Sequence, residues 1–193
     1  MELKNIPRLL DDYKTLGESF FKEHELPLNQ LIASCSQALE RRKTLFFFGN
    51  GGSASQAQHL AAELVNRFLF NREPLAAIAL TCDSSVLTSI ANDFDFRDIF
   101  RRQLQALGKP GDVAIGLSTS GTSENVTLAL QYAKKAGLVT VGFLGNDGGN
   151  CKNHCNFPLI VNSADTPRIQ EIHLLLGHIL CEQVERKVCT KSC

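Results

Sequence analysis

The chain has 193 residues, which suits one domain, and its apolar share of 44% is enough for a sizeable core. Lys plus Arg equals Asp plus Glu at 20 each, so the chain lacks the basic excess expected of a nucleic-acid binder. The start, MELKNIPRLLDDYKTLGESF, has no apolar signal core, and no apolar run approaches the ~18 residues of a membrane span, so neither secretion nor a membrane partner is expected.

Zero net charge leaves small phosphorylated substrates open, since a local site binds those. The seven cysteines are an odd count without a secretion signal, and read as reduced thiols of a cytoplasmic protein. Cys151 and Cys155 flank His154, and Cys189 and Cys193 sit in the tail. Their spacing does not match the CxxC-like pairs of a zinc site.

Residues 1 to about 42 read as two helices. Leu9, Leu10, Tyr13, Leu16 and Phe20 recur at helical spacing in the first. Pro27 is expected to open the second, which continues through Leu28, Leu31, Ile32, Cys35 and Leu39. These helices carry no chemical motif and are expected to pack on the main domain or on another subunit. The chain divides into this extension, 1–42, and one folded unit, 43–193.

From there the pattern becomes α/β. TLFFFG (44–49), AAIAL (76–80), DVAIGLS (112–118), VTVGFLG (139–145) and PLIVN (158–162) are short apolar runs separated by helical or loop stretches. That alternation predicts a parallel sheet covered on both faces. A last helix is expected from about Thr166 to Val188. Ligands of such sheets bind beyond the carboxyl ends of the strands, so the loops after Phe48, Leu80, Leu117 and Leu144 are the places to look.

The loop after the first strand is Gly49-Asn50-Gly51-Gly52-Ser53-Ala54. Glycines allow close backbone approach, and the following helix offers N–H groups to an anion. It is neither a Walker loop nor GxGxxG, and a purely structural turn remains the alternative. The loop after the third strand, Ser118-Thr119-Ser120-Gly121-Thr122-Ser123, carries five hydroxyls before a helix beginning near Glu124. One hydroxyl suffices for capping, so five point to a phosphate monoester.

His59 and Glu63 stand at i, i+4 in QAQHLAAELVNRF, on one helix face. Such a pair can share a metal, act as acid and base, or simply be a surface pair. The last helix carries Gln170, Glu171, His173 and His178. Gln170 and His178 lie roughly 12 Å apart along a straight helix, an uncomfortable reach for one metal. His178, amid Leu176, Ile179 and Leu180, reads equally as a buried packing histidine.

Taken together, GNGGSA, QHLAAEL, NDFDFRDIF, STSGTSENV and RIQEIHLLLGHIL resemble the sedoheptulose 7-phosphate isomerases, sugar-isomerase (SIS) enzymes of bacterial heptose synthesis. The strings run in order from about Leu45 to Glu185. The resemblance implies a flavodoxin-like αβα sandwich with a five-stranded parallel sheet, and a homotetramer with active sites between subunits. It implies one zinc per subunit, surrounded by His59, Glu63, Gln170 and His178. It also implies that Ser53, Ser118, Ser120 and Ser123 hold the phosphate, with Asn50, Gly51, Gly52, Asp93, Thr119 and Gln170 contacting the sugar or ordering the site. Many members have an Asp where this chain has Gln56, so no role carries over there.

The implied reaction converts sedoheptulose 7-phosphate to D-glycero-D-manno-heptose 7-phosphate, the first step toward ADP-heptose and the lipopolysaccharide core. Glu63 would shuttle the proton between C1 and C2, and His178 would act at the oxygens. An alternative comes from non-catalytic tetramers of this fold that bind the replication initiator protein; IAND, RQLQALG and RIQE resemble those too. As a group they lack the glutamate that stands here as Glu63. A sugar-phosphate-sensing regulator module is a third reading, without an attached DNA-binding segment to support it.

Overall fold

The computed structural model of the protein describes residues 5–189; residues 1–4 and 190–193, Cys193 among them, lie outside the described residues. Eleven main elements follow in chain order: α1 (Ile6–Glu40), β1 (Leu45–Gly49), α2 (Gly52–Val65), β2 (Ala77–Ala79), α3 (Ser84–Asp93), α4 (Ile99–Leu107), β3 (Val113–Ser118), α5 (Glu124–Lys135), β4 (Val139–Gly145), β5 (Phe157–Val161) and α6 (Thr166–Cys189). Short 3-10 turns occupy Phe96–Asp98 and Cys151–His154.

The five strands form one parallel sheet in the order β2-β1-β3-β4-β5. This is the flavodoxin-like order, whose direction reverses between β1 and β3 and leaves a crevice at their carboxyl ends. In register, Phe47 faces Ile115, which faces Val141. Strand alternation sends Leu45 and Phe47 to one side, against Leu31 of α1, Leu60 of α2 and Ile172 of α6. Phe46 and Phe48 point to the other, against Ile90 of α3, Phe100 of α4 and Val126 of α5. The result is the expected three-layer αβα sandwich. Burying each such large side chain stabilises by about 1.5–3 kcal/mol, which explains why the strands read as continuous apolar runs.

The N-terminal segment departs from expectation. Its two expected helices are one continuous helix, α1, with Pro27 inside. A proline there forfeits a helical hydrogen bond and costs about 3 kcal/mol. The buried face offsets this, because Phe20, His24, Leu28, Leu31, Ile32 and Cys35 keep one helical register across the proline. His24 adds a polar anchor: its Nε2 accepts from the N–H of Ile160 on the edge strand β5 at 3.2 Å, which leaves Nδ1 to donate to the Phe20 carbonyl at 3.0 Å. Among the described residues, no helix is long and apolar enough to cross a membrane.

Candidate active site

The glycine loop and the hydroxyl loop leave neighbouring strands, β1 and β3, at the switch point of the sheet. Gly51 takes φ 53, a left-handed conformation that a side chain would strain, and it turns the chain into α2. A Cβ on Gly52 would stand 2.5 Å from Nε2 of Gln170, so the missing side chain lets α6 come down onto the loop. Gln56 fastens the same contact, donating to the Gln170 carbonyl at 2.7 Å.

Asn50 and Asn125 join the two loops through a reciprocal amide pair, with Nδ2 of Asn50 donating to Oδ1 of Asn125 at 2.8 Å and Nδ2 of Asn125 returning to Oδ1 of Asn50 at 2.9 Å. The starts of α2 and α5 therefore converge. Helix N-termini so placed favour an anion. Within the hydroxyl loop, Ser118 Oγ donates to Ser123 Oγ at 3.0 Å and accepts from the Gly121 N–H at 3.1 Å. Ser120 Oγ accepts from Thr122 Oγ1 at 3.0 Å. The side chain of Ser123, the N-cap of α5, makes no capping bond, so the hydroxyls bond one another and the loop's own N–H groups rather than the helix end.

Outside, Asn146 donates to the Thr119 carbonyl at 3.0 Å and holds the loop from the β4 side. Ser53 is buried at the start of α2. Asp93 lies at the exposed end of α3, where its carboxylate accepts from Asn92 at 2.8 Å; no hydrogen bond ties it to the two loops.

A second group of side chains lies farther along α2. His59 and Glu63 face α6, and Nε2 of His59 lies 3.4 Å from Oε1 of Glu63 and 2.9 Å from Nε2 of His178. Among the described residues, these three form the group of His, Cys, Asp and Glu side chains able to hold a metal ion, with one ligand atom from each within 4.8 Å of the others. Two imidazoles and one carboxylate match the donor set of open catalytic zinc centres, which keep a position free for water or substrate. Burial and the neighbouring His59 hold the His178 imidazole below its ordinary pKa, with Glu63 pulling the other way. A neutral imidazole is the form that can ligate a metal.

His178 is half-buried rather than buried, and it faces His59. The buried packing histidine of the helix is instead His173, fully enclosed beside Phe143. Gln170 is brought to the glycine loop. Cys151 and Cys155 lie elsewhere, under α5, where Thr127 hydrogen-bonds Cys151 at 3.2 Å and burial pushes the Cys155 thiol up to about 12.

Sequence reasoning missed Asn125, Asn146 and Phe68. The ring of Phe68 stacks on His178 with centroids 5.7 Å apart. An asparagine in the first turn of a helix looks like ordinary helix-start chemistry, and only its burial marks Asn125 as a site residue.

Comparison with known proteins shows the family. The SIS domain model matches residues 9–145. A phosphoheptose isomerase of Clostridium acetobutylicum is 53% identical over 161 residues, which cover 83% of this chain and 82% of that protein. One of Aquifex aeolicus is 44% identical over 190 residues, covering 98% of this chain and all of its own. The structure of a phosphoheptose isomerase from Neisseria gonorrhoeae superposes with a TM-score of 0.88 at 35% identity, covering 95% of this chain and 98% of the other. None of these relatives supports the non-catalytic, initiator-binding reading. A parallel sheet in this strand order, the two converging loops and sequence identity along nearly the whole chain agree: the chain belongs to the phosphoheptose isomerases of the SIS domain family.

Proposed function

We propose that the protein is a cytoplasmic isomerase that interconverts sedoheptulose 7-phosphate and D-glycero-D-manno-heptose 7-phosphate, opening the route to ADP-heptose and the lipopolysaccharide core. The observation that carries this reading is the spacing of two unlike sites on one helix. Ser53, at the start of α2 after the glycine loop, and His59, in the His/Glu group, are six residues apart on α2, about 9 Å along its axis. That separation suits a linear sugar phosphate held by its phosphate at one end and worked on at the other.

The phosphate would sit at the starts of α2 and α5, bound by Ser53, Ser118, Ser120 and Ser123 and by helix N–H groups. Asn50, Gly51, Gly52, Thr119 and Gln170 would orient the sugar, with Asp93 contributing from the end of α3. At the far end, Glu63 removes the C1 proton of the ketose and returns it to C2 by way of an enediolate. His178 moves protons at the O1 and O2 oxygens, a task suited to an imidazole kept neutral. His59, Glu63 and His178, with Gln170 approaching along α6, would hold one zinc ion. Bound there, zinc polarises the substrate carbonyl and stabilises developing negative charge on oxygen.

We read residues 43–193 as the unit that carries this chemistry and 1–42 as a helical extension. A homotetramer with sites between subunits fits a groove beside His178, lined by Leu10 and Tyr13 of α1 and by Leu174 and Leu175 of α6.

The test is turnover of sedoheptulose 7-phosphate by the purified protein. Activity that falls with a chelator and returns with zinc is expected. Glu63→Gln, which keeps the shape and removes the base, should lower kcat by about 100-fold or more. Near-normal turnover in that variant would remove Glu63 from the role.

A further inference from the structure

A carboxylate outside the site just described gathers the chain on either side of it. Glu185, two turns beyond His178 on α6, is fully buried. It accepts four hydrogen bonds: from the N–H groups of Phe68 at 2.9 Å, Leu69 at 2.7 Å and Phe70 at 3.2 Å, and from Nε of Arg72 at 2.8 Å. Arg72 then turns its remaining donors on the end of α2 and, within the connection itself, on the Glu73 carbonyl at 3.1 Å. Its Nη1 reaches the Leu64 carbonyl at 2.8 Å and its Nη2 the Glu63 carbonyl at 3.0 Å.

The segment between α2 and β2 has no regular structure, and apart from this carboxylate it is held by the Leu75 N–H on the Leu64 carbonyl at 3.1 Å, by Phe68 and Leu75 packing on the core, by Arg186 over the Phe70 ring and by Arg72 on the Glu73 carbonyl. A buried ion pair is a poor way to stabilise a fold, because desolvation offsets most of the attraction. It is a good way to impose one geometry, since each donor must meet its acceptor. What this geometry fixes lies at the active site. Phe68, hung from Glu185 by its own N–H, stacks on the His178 ring at 5.7 Å and 29°. The His59 ring contacts His178 from another direction, edge-on at 5.1 Å. His178 is thus bracketed by two rings, and the backbone of Glu63 is gripped by the same ion pair.

We propose that Glu185, paired with Arg72, is a positioning residue of the isomerase site. It sets the connection after α2 so that Phe68 fixes the ring of His178 while Arg72 holds the main chain of Glu63. This rests on the activity proposed above, and the experiment separates the two. Glu185→Gln keeps the side chain's shape but turns one acceptor into a donor facing backbone N–H groups. In the full-length protein it should speed amide exchange at Phe68, Leu69 and Phe70 by about ten-fold or more. It should lower kcat on sedoheptulose 7-phosphate by about ten-fold, the size typical of groups that orient catalytic ligands, and leave KM nearly unchanged.

Phe68→Leu should give a similar loss in kcat. The double variant should be within about two-fold of Glu185→Gln alone, because the loss of Glu185 already releases the Phe68 ring. A merely structural ion pair would give losses that multiply in the double variant, or faster exchange with normal kcat, and either result overturns the proposal. If Glu185→Gln does not fold, Arg72→Lys, which keeps the charge but loses the forked grip on Leu64 and Glu63, carries the same comparison. If the wild-type protein does not isomerise the sugar, the activity reading fails on its own. Zinc affinity then decides the positioning role: about a ten-fold loss in both single variants upholds it, and unchanged affinity refutes it.

Discussion

At Asn125 one buried amide meets several needs. Its Oδ1 accepts from Asn50 and, at 2.9 Å, from the N–H of Val126, while its Nδ2 donates back to Asn50. The glycine loop and the hydroxyl loop are therefore locked through a residue that need not touch substrate. Asn125→Leu keeps the volume and removes all of these bonds. Each net hydrogen bond is worth about 1 kcal/mol, and the starts of α2 and α5 would no longer be held to one spacing. The expected result is a rise in KM for the sugar phosphate of about ten-fold with a smaller change in kcat, measured by steady-state kinetics. An unchanged KM would mean that the loops hold their spacing without the pair. At this scale the sequence disclosed the residues whose chemistry is local: five hydroxyls among six residues, or a His and a Glu one turn apart. It could not disclose Asn125 or Glu185, whose partners lie 75 and more than 110 positions away.

At the scale of elements, the proposed metal site of His59, Glu63 and His178 depends on how closely α2 and α6 approach. Gly177, next to His178, makes that approach possible. A Cβ built there would stand 2.5 Å from both terminal methyls of Leu60, which is fully buried and has little room to move. Gly177→Ala should push the helices apart and widen the 2.9 Å contact between His59 and His178. Overpacking of this kind costs about 1–3 kcal/mol, or a fall in Tm of several degrees at this chain length. Zinc affinity should fall with it, and a zinc titration of the folded variant checks this. Normal affinity would show that the group adapts to a wider helix pair. The sequence did predict these helices and all five strands, because buried parallel strands and amphipathic helices leave periodic apolar patterns. It mispredicted α1 because Pro27 is a strong local signal, whereas the packing of Phe20, Leu28 and Leu31 that overrides it is tertiary. The long reach from Gln170 to His178 was legible in their spacing on one helix: His59, Glu63 and His178 draw together between α2 and α6, and Gln170 lies nearer the glycine loop, at Gly52.

For the whole molecule, His173 ties stability to pH. It sits between α6 and β4, fully buried, and neither ring nitrogen meets a partner at full hydrogen-bond geometry, the Leu144 backbone being the polar group that acts on it. Burial lowers its pKa to about 4, with the Leu144 backbone acting weakly in the opposite direction. In the unfolded chain the imidazole keeps its ordinary value near 6.5. Between those values the unfolded state takes up a proton that the folded state refuses. The fold therefore has its full stability above pH ~6.5 and loses it progressively as the pH falls toward ~4, by about 3 kcal/mol in all. His178, also held below its ordinary value, adds to the trend with the same sign. Carboxylates begin to protonate in the lower part of this range, so wild-type data alone would mix the causes. His173→Leu separates them: it forfeits at most the contact with the Leu144 backbone, removes the buried base and keeps an apolar group beside Phe143. Urea midpoints of the variant should match or exceed wild type at pH 7 and pull ahead as the pH drops to 5. If the two proteins instead lose stability in parallel over that interval, the imidazole is paired in the folded state and the acid sensitivity belongs to the carboxylates.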